Sequence, residues 1–149
     1  GAPAKGSRRR EAQMIRRLDH VAVAVRSISE RLVFYRDLLG LPLVGIEEVP
    51  REKVKVALLG QDAGRLELLE PTSEDSPVEK FLRERGEGIH HLCFLVDSLE
   101  ATCASLKRSG CRLVGGIRAG SGGTRIAFLH PRDTGGVLIE LREAGEARG

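Results

Sequence analysis

Tryptophan is absent, and the 149 residues include one tyrosine and four phenylalanines. Stacking platforms for single-stranded nucleic acid need more aromatics than this. No apolar run approaches the roughly 20 residues that a membrane helix requires. The three cysteines, Cys93, Cys103 and Cys111, are odd in number and form no C-x-x-C pair. A disulfide framework is therefore not expected, and a reducing compartment fits better. Acidic excess is also missing, since the formal net charge is +3. That charge is unevenly placed. Residues 1–17 hold six basic side chains and one acid, Glu11, which leaves 18 basic and 20 acidic residues in the other 132. The basic balance thus belongs to the arm, read as a solvated tail or the remnant of a targeting or cloning sequence. A slightly acidic domain behind it argues against a nucleic-acid partner.

What is present is a repeat. LDHVAVAVRSISERLVFYRDLLGLPLVG (18–45) matches IHHLCFLVDSLEATCASLKRSGCRLVGG (89–116). Each copy opens with an apolar residue, a polar one and a histidine, then runs through an apolar strand. Ser27 or Ser98 follows as a helix cap, an amphipathic stretch comes next, and Gly40 or Gly110 stops it. The match continues from KVKVALL (53–59) to TRIAFLH (124–130), and from LELLEP (66–71) to LIELRE (138–143). Each copy reads as strand, helix, strand, strand, strand. The first strands are expected at Asp19–Val25 and His90–Val96. The helices are expected near Ser29–Leu39, with Leu32, Val33, Tyr35, Leu38 and Leu39 on one side, and near Leu99–Ser109, with Leu99, Cys103 and Leu106 inward. The fold class is α+β: two βαβββ repeats forming a curved mixed sheet. The chain divides into a basic arm (1–17), a first module (18–71), a linker with a short helix near Pro77–Arg85 (72–88), a second module (89–143) and a tail (144–149).

Four ligand-type residues fall at matched positions. His20 and His91 open the first strand of each copy, 71 residues apart, and Glu67 and Glu140 sit in the last strand, 73 apart. Each glutamate interrupts an apolar run, and charged side chains are seldom buried unless paired or metal-bound. A rotation relating the copies would bring the four together around its axis. Imidazole and carboxylate donors suit a divalent Co, Ni, Mn or Zn ion, or Fe(II). The alignment places His90 opposite Asp19, which selects His91 as the ligand and leaves His90 as a neighbour or surface residue.

The βαβββ repeat with His and Glu at these places resembles the vicinal oxygen chelate superfamily, the glyoxalase/bleomycin-resistance fold. Within it, LDHVAVAV, FYRDLLGL, LELLEPTSEDSPVEKFL, GEGIHHLCFLVD, GGTRIAFLHP and GGVLIEL are similar to the methylmalonyl-CoA epimerase family over residues 18–142. The resemblance implies metal ligands at His20, Glu67, His91 and Glu140. It also implies an isomerase that interconverts (2R)- and (2S)-methylmalonyl-CoA. The hydrogen alpha to the thioester is removed, and the enolate is stabilised by the cation as a Lewis acid. It assigns the base role to Glu140. Epimerisation needs a group on each face of the carbon. The glutamate that some family members carry at the position of Val56 is missing here, and Lys55 should point to the opposite face. Glu48, Glu52 or water are the substitutes. Substrate contacts are expected from Gly122 and Gly123 in the loop GSGGTR, and from His130 and Arg132, which resemble a family HPK segment. The implied partner is a small-molecule acyl-CoA, the implied assembly a homodimer, and the implied location the cytoplasm, or the mitochondrial matrix in a eukaryote. The alternatives are a lactoylglutathione lyase of the glyoxalase I type, a ring-cleaving dioxygenase, or a non-enzymatic ligand-sequestering protein of the same fold.

Overall fold

The computed structural model describes residues 14–61 and 64–145, so residues 1–13 of the expected arm and 146–149 of the tail lie outside it. Strand β1 spans Ile15–Ala24. Helix α1 covers Ile28–Leu32 and runs into a π turn, Val33–Leu38. Strands β2 (Leu43–Val49), β3 (Val54–Gln61) and β4 (Gly64–Pro71) complete the first half. Helix α2, Pro77–Arg85, lies in the linker. The second half has β5 (Gly88–Val96), α3 (Leu99–Arg108), β6 (Leu113–Ala119), β7 (Arg125–Leu129) and β8 (Ile139–Glu143). No helix among the described residues is long and apolar enough to cross a membrane.

All eight strands join one curved mixed sheet in the order β2-β3-β4-β1-β5-β8-β7-β6. The expected βαβββ repeat is there, and its symmetry is visible in the register. At the centre, β1 and β5 pair antiparallel, with Val21 opposite Leu92, the 71-residue equivalents. On one side β4 lies parallel to β1 with Glu67 opposite Ala22, and on the other β8 lies parallel to β5 with Glu140 opposite Cys93. An approximate two-fold axis thus passes through the Val21–Leu92 pair.

The helices cover the outer face. Ile28 and Leu32 of α1 pack on Ala57, Leu59 and Leu68, and Leu99 and Cys103 of α3 pack on Ala127, Leu129 and Leu141. Ser27 and Ser98 each accept an amide hydrogen bond from three residues on, at 3.2 Å. Gly40 and Gly110 follow the helical turns at φ 82° and 91°, a region costly for any residue with a Cβ. The linker helix α2 instead packs against the inner face, where Val78 and Leu82 meet Ala22, Ala24, Val56 and Leu69.

Two local expectations are corrected. Strand β1 begins at Ile15, inside the segment read as arm, because Ile15, Arg17 and Leu18 find partners at Val96, Leu95 and Phe94. Arg16 adds an ion pair to Asp97 at 3.0 Å. The first helix is regular only to Leu32. Beyond it the chain widens into the π turn, with Leu39 N–H reaching Phe34 O. The widened turn rotates the apolar stripe, so Val33, Leu38 and Leu39 face solvent at 53, 74 and 58% exposure, and only Leu32 and Tyr35 stay against the core.

Candidate metal centre and cleft

Strand alternation puts His20, Glu67, His91 and Glu140 on the inner face, each 5% exposed or less. His20 lies across from Cys93 on β5, and His91 across from Ala22 on β1, so the two imidazoles flank the symmetry axis. Glu140 reaches both. Its Oε1 is 3.3 Å from His20 Nε2 and 2.8 Å from His91 Nε2. The rings meet edge to face with centroids 5.6 Å apart. Among the described residues, the donor atoms of His20, His91 and Glu140 fall within 4.8 Å of one another. Glu67 stands behind the His20 ring, its Oε2 3.3 Å from Nδ1, outside that three-atom group.

The residues fit a divalent cation. His20 Nε2 and His91 Nε2 are fully buried, and neither makes a well-formed hydrogen bond among the described residues. Buried imidazole nitrogens without a partner are costly unless something else satisfies them. Two nitrogens and an oxygen are the donor set of borderline divalent metals. The charges agree. Burial disfavours ionised Glu140, but the two rings outweigh it and hold the carboxyl well below its usual range. Burial also disfavours a charged His20, yet Asp19, Cys93, Glu140 and Glu67 together raise it far above its usual value. Burial lifts Glu67.

His91, Glu140 and Glu67 line a cleft together with Val56, Leu69, Ile126 and Phe128, and Glu52 and Ser121 line it too. The Phe128 ring stands on edge against His91 at 5.4 Å. Val56 is 3% exposed and apolar. Glu48 and Lys55 line a different groove, with Arg26 and Glu70 on the outer side, so neither faces the cleft. Glu52 does, held by Arg118 through bonds of 2.8 and 3.3 Å.

The expected substrate contacts are more scattered. Gly120 and Ser121 line the cleft, while Gly122 and Gly123 are exposed beyond them, and Gly122 N–H donates to Glu47. His130 Nδ1 accepts from the Arg132 amide at 3.1 Å as the cap of a short turn. Arg132 is exposed, and neither residue lines the cleft. Two residues escaped the sequence argument, Arg142 and Asp19, while His90 takes the place of the neighbour that the alignment allowed for. Arg142 donates to the carbonyl and hydroxyl of Ser121 and so ties down the loop at the rim. Asp19 and His90 hydrogen-bond the Nδ1 atoms of His20 and His91 at 2.8 and 2.9 Å. Burial, then His91, pushes His90 down to about 4. The alignment of Asp19 with His90 was the available signal for this pair.

Residues 19–128 match the family described as Glyoxalase/Bleomycin resistance protein/Dioxygenase superfamily. The uncharacterized protein YqjC of Bacillus subtilis is 42% identical over 128 residues, which is 85% of this chain and 91% of that protein. Mouse mitochondrial methylmalonyl-CoA epimerase is 39% identical over 130 residues, 86% of this chain and 73% of that protein. Among solved structures, a variant of Streptomyces coelicolor methylmalonyl-CoA epimerase in complex with 2-nitronate-propionyl-CoA superposes with a TM-score of 0.84. Its identity is 35%, with 91% of this chain and 99% of that chain covered.

Proposed function

This chain belongs to the glyoxalase/bleomycin resistance protein/dioxygenase superfamily, and from that premise we propose that it is an epimerase interconverting (2R)- and (2S)-methylmalonyl-CoA. The observation that supports the reading is the meeting of two buried imidazole nitrogens, without hydrogen-bond partners among the described residues, and one carboxylate, drawn from both repeats, beside an apolar cleft that His91 and Glu140 line. His20, His91 and Glu140 would hold a divalent cation, with Glu67 the adjacent fourth carboxylate. Such a cation supplies Lewis-acid stabilisation to the negative charge that develops on the thioester oxygen.

The chain's own residues do the rest. Glu140 takes the alpha hydrogen on a carboxylate oxygen, because it is ionised and lies beside the ligand nitrogens. Val56, Leu69, Ile126 and Phe128 keep bulk water from the carbanion, which lowers the local dielectric and strengthens each charge interaction. Inversion requires a proton from the other face. With Val56 unable to supply one, that role passes to Glu52, the cleft-lining carboxylate of the candidates near it. The CoA portion is anionic. The exposed backbone of Gly122 and Gly123, with His130 and Arg132 at the end of β7, is where we place its contacts. The exposed apolar side chains of Val33, Phe34, Leu38, Leu39, Val44 and Ile46 support a homodimer. Three free cysteines support an aqueous reducing compartment such as the cytoplasm.

The test is a coupled epimerase assay on chain stripped with EDTA and then supplied with Co, Ni, Mn or Zn. Activity should vanish and return with at least one of them. Full activity in the stripped chain would remove the cation from the account. Turnover of a glutathione hemithioacetal, with none of methylmalonyl-CoA, would move the protein to the lactoylglutathione lyases.

A further inference from the structure

The register between β1 and β5 breaks three times, and the two breaks nearest the centre are related by the symmetry axis. Leu18 pairs with Phe94 and His20 with Cys93, so β1 advances two residues while β5 advances one, and Asp19 is the extra residue. At the other end Ala22 pairs with His91 and Val23 with Ile89, which makes His90 the extra residue on β5. Each histidine of the candidate metal centre is therefore preceded by a β-bulge residue, at 71-residue equivalent positions. In a regular strand, neighbouring side chains point to opposite faces. A bulge suspends that rule and re-aims the side chain. Asp19 and His90 consequently turn toward the residue that follows them instead of away from it. Asp19 Oδ2 lies 2.8 Å from His20 Nδ1, and His90 Nδ1 lies 2.9 Å from His91 Nδ1. Both partners are anchored. Asp19 is 6% exposed, with Arg142 Nε 3.8 Å away. His90 packs edge to face on Phe81 of α2, with centroids 5.0 Å apart.

A metal-binding imidazole must carry its proton on the nitrogen that does not face the cation. With Nε2 on the cation side, next to Glu140, Nδ1 of each ring would be the donor. Toward Asp19 this is a charge-assisted bond to a carboxylate. Toward His90 it is a bond to another imidazole, which can accept only when its own Nδ1 is bare and its proton sits on Nε2. The duplicated scaffold thus supplies two kinds of partner to two equivalent ligands. The carboxylate holds His20 by a charge-assisted bond, and the imidazole of His90 holds His91 by a neutral one.

We infer that Asp19 and His90 are a matched pair of positioning residues, carried on symmetry-related bulges, that set the tautomer and rotation of His20 and His91 so that both Nε2 atoms face one cation. The inference rests on the cation-site reading above. The test measures Co(II) affinity by chelator competition, together with the visible absorption of the Co(II)-loaded full chain. Variants are His90→Phe, which keeps the stack on Phe81 and removes the acceptor, His90→Gln, which can still accept, and Asp19→Ala. The expected result is a loss of about 10- to 100-fold in affinity for His90→Phe, with a changed absorption spectrum. His90→Gln should recover most of the affinity, and Asp19→Ala should lose more than His90→Phe. The Gln rescue separates a hydrogen-bond role from simple packing. Wild-type affinity and spectrum in His90→Phe would overturn the inference while leaving the cation site intact. A wild-type chain that takes up no divalent cation would overturn the site reading, and this inference with it.

Discussion

In the first half, Ser27 and Glu70 satisfy the opening amides of α1, with Ile28 N–H donating to Glu70 at 2.7 Å. In the second, Ser98 and Glu143 do the same for α3, with Leu99 N–H donating to Glu143 at 3.0 Å. The bulges, the glycine stops, the histidines and the last-strand glutamates are likewise shared. The inner faces diverge. Ala22 answers to Cys93, Asp19 to His90 and Leu69 to Arg142. Glu140 lies between two rings while its counterpart Glu67 lies behind one. Each half needs its own helix and strand geometry, so those residues are constrained twice. Inner-face residues instead act in a space that both halves share, and one copy can do what the other then need not. A symmetric fold in this way carries an asymmetric cluster of imidazoles and carboxylates.

The sharpest way to break the comparison is to treat the two glutamates alike. Glu140→Gln should slow solvent-deuterium exchange into methylmalonyl-CoA by about 10³- to 10⁴-fold, the scale of a lost general base. Glu67→Gln should cost far less. Equal losses would mean that the carboxylates are interchangeable. Next comes Glu52→Gln. It should depress inversion by about 10²-fold while preserving exchange on the face served by Glu140, as read by following stereochemistry and deuterium together. Equal depression of both rates would remove Glu52 as the second acid. The smallest effect concerns the shared scaffold. Arg125, and then the Leu99 amide, hold the Glu143 carboxyl below its usual value. The stabilisation is therefore complete above the unfolded value and is lost as pH falls through the lower folded one. Glu143→Gln should cost roughly 0.5–1 kcal/mol in urea unfolding at pH 7 and nothing at pH 2. A deficit that persists at pH 2 would place its cause elsewhere.

The repeat made much of this legible beforehand. Matched histidines and glutamates, serine caps, glycine stops and the linker helix Pro77–Arg85 all depend on local pattern, and local pattern is what a sequence displays. The rest depends on contacts. Ile15 to Arg17 look like a basic arm until Val96 and Leu95 pair with them. The π turn at Val33–Leu38 inserts extra residues into a stripe whose 3.6-residue spacing is otherwise sound. The bulges at Asp19 and His90 exist only in the register between two strands, so alternation along either one alone misplaces those side chains. Gly122 and Gly123 are expected from small residues with exposed amides, and His130 and Arg132 from likeness to a family segment, but where they stand relative to the cleft depends on the loop after β6 and the turn after β7.

One measurement reaches the central claim directly: anomalous diffraction from crystals of the full chain grown with Zn(II) or Co(II). One peak is expected between the imidazoles, about 2.0–2.2 Å from His20 Nε2, His91 Nε2 and a Glu140 oxygen, and so bonded by both halves at once. A cation held by residues of one half alone, or none between the two rings, would contradict it.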